Sequence, residues 1–196
     1  MQNIKEDIHQ KLLAAGRELV KSKGAEFLTA RKLSEASGCS IGTIYNQFSS
    51  MDVFVAEQNE ITLRELADKL YVADYKNDSY YNLNVMIETF TNFVSENSEL
   101  WLLLYIFHLH KKDYKLTISY KKRLSRLFGL TTDNFEKLFP KLSRGRCKIM
   151  KNVLETGLFG MSAMLAAGSI EETEGKNMCR IFVNTFLAGI TLLEKD

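Results

Sequence analysis

Residues 29–48 read TARKLSEASGCSIGTIYNQF, and this stretch decides the fold. It contains two short helix-forming runs, and Thr29 and Ser40 stand where a hydroxyl can cap the first turn of each. Gly38 lies between the runs and supplies the backbone freedom of a tight turn, while small residues such as Ser34 allow two helices to cross closely. The stretch therefore predicts a helix-turn-helix.

The sequence on both sides of this motif predicts further helices. Apolar residues recur at three- and four-residue steps from about residue 4 to 22, as on one face of a helix, and Gly24 is expected to end that helix. Within the first helix of the motif, Leu33 and Ala36 are expected to face inward. A fourth helix is expected after the motif, and the polar segment 73–79 is expected to be a loop.

The remaining sequence is typical of an all-α protein. One proline and eleven glycines in 196 residues leave few turns, which disfavours a many-stranded β fold. Apolar spacing predicts helices near 81–96, 98–110, 114–128, 132–138, 144–167 and 174–193, with a turn at 129–132. The longest strongly apolar stretch, residues 100–109, is about half the ~20 residues that a membrane-spanning helix needs. With no signal-sequence pattern at the N-terminus, we expect a cytoplasmic protein without membrane association.

Charge is unevenly distributed along the chain. The formal net charge is only +2, but residues 111–151 hold thirteen Lys and Arg against three Asp and Glu. Such a basic segment fits a nucleic-acid or membrane surface. Solvated helix faces are the favoured alternative, because apolar residues are interleaved in the segment at helical spacing. Charge alone leaves both interpretations open.

The helix-turn-helix stretch also resembles a known family. The run GTIYNQF at residues 42–48 is its most specific piece, and the glycines and apolar residues around it keep the same spacing over about residues 4–57. This segment resembles the TetR family of transcriptional regulators. The resemblance implies a helix-turn-helix DNA-binding domain, assigned here to residues 1–50. A larger helical domain for effector binding and dimerisation would follow at residues 51–196.

The resemblance also implies which residues meet DNA. Thr29 matches a phosphate-contacting cap, and Arg31 matches a base or backbone contact. Ile41 and Asn46 occupy variable positions that set sequence preference, and the other matching positions meet phosphates or bases. The complete set is Thr29, Arg31, Ser40, Ile41, Thr43, Tyr45, Asn46 and Gln47. Tyr45 could instead be a packed aromatic residue, whereas Leu33, Ile44 and Phe48 match positions of the core.

One position departs from the family pattern. Met51 stands where the family usually has a lysine that reaches the DNA backbone, and each lost phosphate contact lowers affinity. The first 55 residues are also barely basic, with seven Lys and Arg against six Asp and Glu. These features motivate an alternative function, a helical interaction module that keeps the regulator scaffold with weakened DNA binding. The basic segment would then be the nucleic-acid surface.

The C-terminal part offers candidates for two further sites. In this family two long C-terminal helices pair with their copies, and an apolar stripe here fits that role or, equally, an intramolecular core. The stripe comprises Met150, Leu154, Leu158, Met161, Leu165, Met178 and Phe182, with Gly157, Gly160 and Gly189 allowing close approach. Aromatic residues in and near the apolar stretch 100–109 are candidates for an effector pocket or for the core. These residues are Phe90, Phe93, Trp101, Tyr105 and His108.

The function expected from these features is sequence-specific regulation of transcription. We expect a homodimeric repressor that binds a double-stranded DNA operator and is released by a small, partly apolar effector. The sequence has no phosphate-binding glycine loop, nucleophile elbow or HExxH helix, so we expect no catalytic residue and no cofactor. His108 and His110 fall on different helix faces, which disfavours a shared metal, and His9 is expected at the surface.

Overall fold

The computed structural model of the chain describes residues 2–110 and 117–193. Within these ranges it contains helices and no strand, so the all-α prediction is confirmed. The N-terminal helices are α1 (Gln2–Lys23), α2 (Ala30–Ser37), α3 (Ile41–Phe48) and α4 (Met51–Tyr71), with a 3-10 turn at Ala25–Phe27. The following helices are α5 (Ser79–Glu96), α6 (Ser98–His110), α7 (Ile118–Leu138), α8 (Arg144–Ala166) and α9 (Glu172–Leu193).

Local chemistry sets the ends of the first three helices, as predicted. Gly24 follows α1 with a φ of +109°, a conformation that residues with a Cβ rarely adopt. The Thr29 side chain accepts a hydrogen bond from the Lys32 amide at 3.2 Å and so caps α2. Gly38 ends α2 in the left-handed region with a φ of +69°. The backbone therefore turns sharply between α2 and α3, as a helix-turn-helix requires.

Two details of the predicted helices are wrong. Gly129 does not break α7, which continues from Ile118 to Leu138. Tyr120, Leu127 and Phe135 are all buried along this helix, and their burial outweighs the cost of about 1 kcal/mol for a helical glycine. In α2 the buried residues are Leu33 and Ser37, which lie four residues apart on one face of the helix. Ala36, predicted to face inward, is exposed.

The described chain divides into two compact units. The first, called here the head unit, comprises Met1–Arg64 and Glu99–Thr117. The second, called the body unit, comprises Glu65–Ser98 and Ile118–Asp196. The head unit therefore extends beyond residue 50, where the sequence prediction placed the end of the DNA-binding domain, and includes α6 and most of α4.

The core of the head unit holds α3 in place. Leu12 and Leu13 of α1, Leu33 of α2, Ile44 and Phe48 of α3, and Phe54 of α4 form one buried cluster. The Phe48 and Phe54 rings meet edge to face with 4.8 Å between centroids. Gly16 allows α4 to approach α1, because a Cβ at that position would lie 2.8 Å from Phe54 Cε1. One face of α3 is thus fixed by three other helices.

The body unit has its own core, built from the long helices. Phe93 of α5, Tyr120 and Phe135 of α7, Leu154 of α8 and Val183 of α9 are all buried. Helices α8 and α9 approach closely where Gly157 lies under the Phe182 ring, and a Cβ on Gly157 would lie 2.5 Å from Phe182 Cζ. Gly157 therefore serves packing within the chain.

Candidate nucleic-acid interface

Helix α3 has one buried face and one exposed face. Ile44 and Phe48 are each 1% exposed and belong to the head-unit core. Ile41 and Tyr45, also four residues apart, are 44% and 45% exposed, and Asn46 beside them is exposed. An isolated helix of eight residues is marginal in water, so the packed face is what keeps α3 helical. The outer face is left available to a partner.

The start of α3 is built from two hydroxyls. The Ser40 Oγ accepts a hydrogen bond from the Thr43 amide at 3.1 Å, and the two hydroxyl oxygens lie 2.9 Å apart. Ser34 Oγ donates to the Cys39 carbonyl at 2.6 Å, which ties the preceding turn to α2. Ser40 is exposed at this helix start. Unpaired amides and the helix dipole favour an anion such as a phosphate at such a position.

The start of α2 places further polar groups at the surface of the head unit. Thr29 is exposed, and the Arg31 side chain is 85% exposed. Arg31 Nε donates to Glu35 at 3.2 Å, and Lys32 Nζ donates to the same carboxylate at 2.8 Å. Lys32 and then Arg31 hold the pKa of Glu35 below its usual value. Exposed pairs of this kind contribute about 0–1 kcal/mol, so either cation can exchange Glu35 for another anion.

All eight residues predicted to contact DNA lie in the head unit. Six of them are exposed, namely Thr29, Arg31, Ser40, Ile41, Tyr45 and Asn46. Thr43 and Gln47 are half-buried, and Gln47 Nε2 donates to the Lys5 carbonyl of α1 at 3.4 Å. The exposure of Tyr45 disagrees with a fully packed aromatic side chain. Met51 is half-buried against the head-unit core, which gives an apolar residue there a packing role.

Sequence reasoning missed a polar contact that fixes α1 against α3 and α4. His9, expected at the surface, is half-buried, and its Nε2 lies 2.8 Å from Glu57 Oε2. The imidazole also stacks on the Phe48 ring with 4.4 Å between centroids. One signal of this burial was present in the sequence, because His9 is next to Ile8, an apolar residue that packs against the head-unit core. It could not be read without knowing which residues of α3 and α4 lie opposite.

A second missed feature is a buried polar segment in α4. Gln58, Asn59 and Thr62 are at most 1% exposed. Gln58 Nε2 donates to the Leu13 carbonyl at 2.6 Å, and Arg17 donates to the Thr62 hydroxyl at 3.1 Å. Neither polar atom of the Asn59 amide has a hydrogen-bond partner in the described part of the chain. Such a buried unpaired group costs about 1–3 kcal/mol.

The residues predicted for an effector pocket are divided between the two units. Phe90 and Phe93 belong to the body unit, whereas Trp101, Tyr105 and His108 lie on α6 in the head unit. Phe93 and Trp101 are buried, and the other three are half-buried. His108 Nδ1 lies 2.9 Å from the Leu104 carbonyl oxygen on its own helix. Each of these side chains is thus at least partly buried.

The predicted dimer stripe mixes inner and outer faces of α8 and α9. Leu154 and Leu165 are buried, which at these two positions fits the intramolecular-core alternative. Met150, Leu158, Met161 and Phe182 are half-buried, and Met178 is exposed. The exposed apolar residues on these two helices are Ile149, Val153, Met164, Met178, Ile181 and Leu192.

An exposed apolar groove lies on the outer face of α8. Its volume is about 410 Å³, and Ile149, Asn152, Val153, Thr156 and Gly157 line it. Further along the same helix, a Cβ on Gly160 would meet no atom within 4 Å, and the same holds for Gly189 on α9. These two glycines therefore leave open space on the body unit.

The exposed basic residues in the described part of the basic segment lie along α7, between α7 and α8, and at the start of α8. Residues 111–116 of it lie outside the described residues. Lys121 and Lys122 are exposed near the start of α7, whereas Arg144 and Arg146 are exposed at the start of α8. The start and the end of α7 are about 30 Å apart at 1.5 Å per residue. Arg126, Lys137 and Lys141 are exposed between Lys122 and Arg144, so basic side chains occur along the whole described length of the segment.

Residues 12–57 match the family model described as bacterial regulatory proteins, tetR family. This N-terminal segment is therefore similar to the TetR family. The matched TetR segment contains all of α2 and α3, including the exposed side chains Ile41, Tyr45 and Asn46. No curated protein matches the sequence.

Solved structures share the TetR-type fold along most of the chain. FadR, the fatty acid degradation regulator of Bacillus halodurans, is 13% identical, with a TM-score of 0.69 over 92% of this chain and 98% of that one. PfmR, a TetR-family transcriptional regulator of Thermus thermophilus, is 15% identical, with a TM-score of 0.67 over 90% and 97%. Thermus thermophilus FadR, a transcriptional repressor in complex with lauroyl-CoA, is 15% identical, with a TM-score of 0.65 over 91% and 93%. At these identities the likeness establishes the fold.

No helix in residues 2–110 and 117–193 is long and apolar enough to cross a bilayer.

Proposed function

We propose that this protein is a sequence-specific DNA-binding transcriptional regulator that reads its operator with the outer face of α3. The observation that carries the proposal is the division of α3 into a fixed face, Ile44 and Phe48, and an exposed face, Ile41, Tyr45 and Asn46. A helix held rigidly on one side and exposed on the other can enter the major groove. The proposed function of the protein is DNA binding rather than catalysis, and its proposed location is the cytoplasm.

The polar groups around α3 suit the DNA backbone. Thr29 and Ser40 lie at the starts of α2 and α3, where unpaired amides favour phosphate oxygens. Phosphate contacts set the register of a protein on DNA, whereas groups that reach base edges specify the sequence. Gly42, exposed in the first turn of α3, supports close approach, because no side chain stands between the helix backbone and a partner.

We further propose that two copies pair through the outer faces of α8 and α9. Residues Ile149, Val153 and Met164 recur at helical spacing along α8, and Ile181 and Leu192 are exposed on α9. Contiguous exposed apolar side chains of this kind favour burial against a partner. A second copy is the partner proposed, since a two-fold dimer presents two α3 helices to two half-sites and doubles a contact area too small for specificity alone.

The regulator is proposed to act as a repressor that an effector releases. Lauroyl-CoA is bound by the Thermus thermophilus FadR of the same fold, which supports a partly apolar small molecule as the effector here. An effector that binds better to a state with low DNA affinity lowers operator occupancy by the coupling free energy, typically about 1–3 kcal/mol.

The alternative function is a helical interaction module with weakened DNA binding. Met51 and the weakly basic N-terminus favour it, because both reduce the attraction to phosphates.

Two groups of variants test these functions against each other. Thr43→Ala combined with Tyr45→Ala changes the outer face of α3, and Lys121→Gln combined with Lys122→Gln neutralises the start of α7. We expect the first pair to abolish preferential binding to genomic fragments over bulk DNA, and the second to leave it unchanged. Loss of binding only in the second pair would support the alternative and overturn the proposal.

A further inference from the structure

We propose that α3 reads an A·T-rich half-site, with Ile41 against thymine methyl groups and Asn46 on adenine. This inference rests on the proposed function, since it names the base pairs that the same face recognises. It concerns the exposed side chains of one helix and the chemistry of the major groove.

Helix α3 carries no charged side chain. Its sequence from Ile41 to Phe48 is IGTIYNQF, without Lys, Arg, His, Asp or Glu. Guanine presents two acceptors in the major groove, N7 and O6, and is best matched by the donors of Arg or Lys. Cytosine presents an amino donor that suits Asp or Glu. The helix therefore lacks the side chains that pair best with either base of a G·C pair.

The side chains that α3 does expose match A·T pairs. Ile41 offers an aliphatic surface, and the thymine C5 methyl group is the apolar feature of the major groove. Asn46 is exposed, and its amide makes no hydrogen bond to another described residue. An asparagine amide offers one donor and one acceptor to adenine, which presents N7 as an acceptor and N6 as a donor.

Other polar side chains near these two residues are already engaged. Gln47 donates to the Lys5 carbonyl at 3.4 Å, and the hydroxyls of Ser40 and Thr43 lie 2.9 Å apart. Arg31 and Lys32 are the exposed cations of α2, and both are paired with Glu35. Arg31 is the one cation of the predicted DNA-contacting set, so half-sites rich in G·C pairs would indicate that it reads guanine.

The side chains of Ile41 and Asn46 are close enough along the helix to contact nearby base pairs. Ile41 and Asn46 are five residues apart, which is about 7.5 Å along the helix axis. Base pairs are about 3.4 Å apart along the duplex. The two side chains therefore lie two to three steps apart along the duplex, and they point about 140° apart around the helix, so the inferred thymine and adenine lie on different base pairs.

The test begins with selection of duplexes from a random-sequence pool by the full chain at near-physiological salt. The tightest duplex is then bound by the wild type and by Ile41→Ala, Asn46→Ala and Asn77→Ala, the last being an exposed asparagine of the body unit as a matched control. A second duplex replaces each half-site thymine by deoxyuridine, which removes only the methyl group. Melting curves show that the variants remain folded.

We expect selected half-sites with A·T pairs at two or three successive positions. Asn46→Ala should lose between about five- and 150-fold of the preference for adenine at one position, and Asn77→Ala should lose none. Replacing thymine by deoxyuridine should weaken DNA binding by the wild type several-fold and leave DNA binding by Ile41→Ala unchanged. Half-sites dominated by G·C pairs, or equal losses with deoxyuridine in both proteins, would overturn the inference and leave the proposed function standing. Absence of any preferred sequence would overturn both.

Discussion

Replacing two glycines by alanine separates the stability of the head unit from its affinity for DNA. Gly16 and Gly42 both lie in helices, but a Cβ at Gly16 would overlap the Phe54 ring, with Cε1 at 2.8 Å. At Gly42 the nearest atom to a Cβ is Ser40 Oγ at 3.7 Å, an ordinary contact. Gly16→Ala thus perturbs the core, whereas Gly42→Ala perturbs only the exposed face.

The expected magnitudes follow from these distances. Phe54 is fully buried and packed edge to face on Phe48, so it cannot move away from a new methyl group, and overpacking costs about 1–3 kcal/mol. Alanine recovers about 1 kcal/mol through helix propensity, which leaves Gly16→Ala destabilised by up to about 2 kcal/mol. Gly42→Ala gains about 0.5 kcal/mol, the low end of that range, because it lies in the first turn.

Thermal melting and DNA titration on the same preparations measure the two effects. A chain of this size shifts by about 2–4 °C per kcal/mol, so Gly16→Ala should melt several degrees lower and Gly42→Ala one or two degrees higher. Below its melting range Gly16→Ala should bind operator DNA like the wild type. Gly42→Ala should bind at least about ten-fold more weakly, equivalent to about 1.4 kcal/mol. Unchanged DNA affinity in Gly42→Ala would refute close approach of α3 to DNA.

Three further predictions concern the remaining chain. Asn59→Leu should stabilise the free protein by about 1–3 kcal/mol in urea unfolding, because it removes an unpaired buried amide, and a loss of stability would mean that the amide has a bound partner. Burial raises the pKa of the Glu155 carboxyl, so the stability that its protonated form contributes is full below the ordinary pKa of 4.5 and is lost as pH rises through the raised pKa. In urea unfolding measured across this pH range, Glu155→Gln should lack this pH-dependent loss of stability. A pH profile identical to that of the wild type would contradict the prediction. Gly157→Ala should destabilise the body unit by about 1–3 kcal/mol, because the new methyl group clashes with Phe182. Gly160→Ala should leave the stability of the body unit unchanged and weaken the dimer in sedimentation experiments. A dimer of unchanged stability in Gly160→Ala would count against pairing through this part of α8.

Interactions between residues close in sequence could be predicted without the structure. Thr29 and Ser40 cap their helices with amides only three residues away, and Gly24 and Gly38 end helices with positive φ. These effects depend on backbone chemistry within one turn, so the sequence carries the whole of the information. The helix-turn-helix and the exposed position of most predicted DNA-contacting residues followed from it.

Interactions between distant residues could not be predicted in the same way. His9 and Glu57 are 48 positions apart, and their contact depends on how α1 and α4 pack. Leu154 and Leu165 share the apolar character of the exposed residues of α8, so periodicity alone could not say which face is buried. Similarly, Gly129 stays helical because side chains on either side of it along α7 are buried. Each of these outcomes was set by tertiary packing.

The central claim, that α3 reads a specific DNA sequence, is tested most directly by selecting bound fragments from a genomic pool with the purified protein at near-physiological salt. The account predicts recovery of one two-fold symmetric sequence, with half-site centres about 10 base pairs or a multiple of that apart. Recovery of no preferred sequence, with binding that falls steeply as salt rises, would show attraction to phosphates alone and contradict the claim.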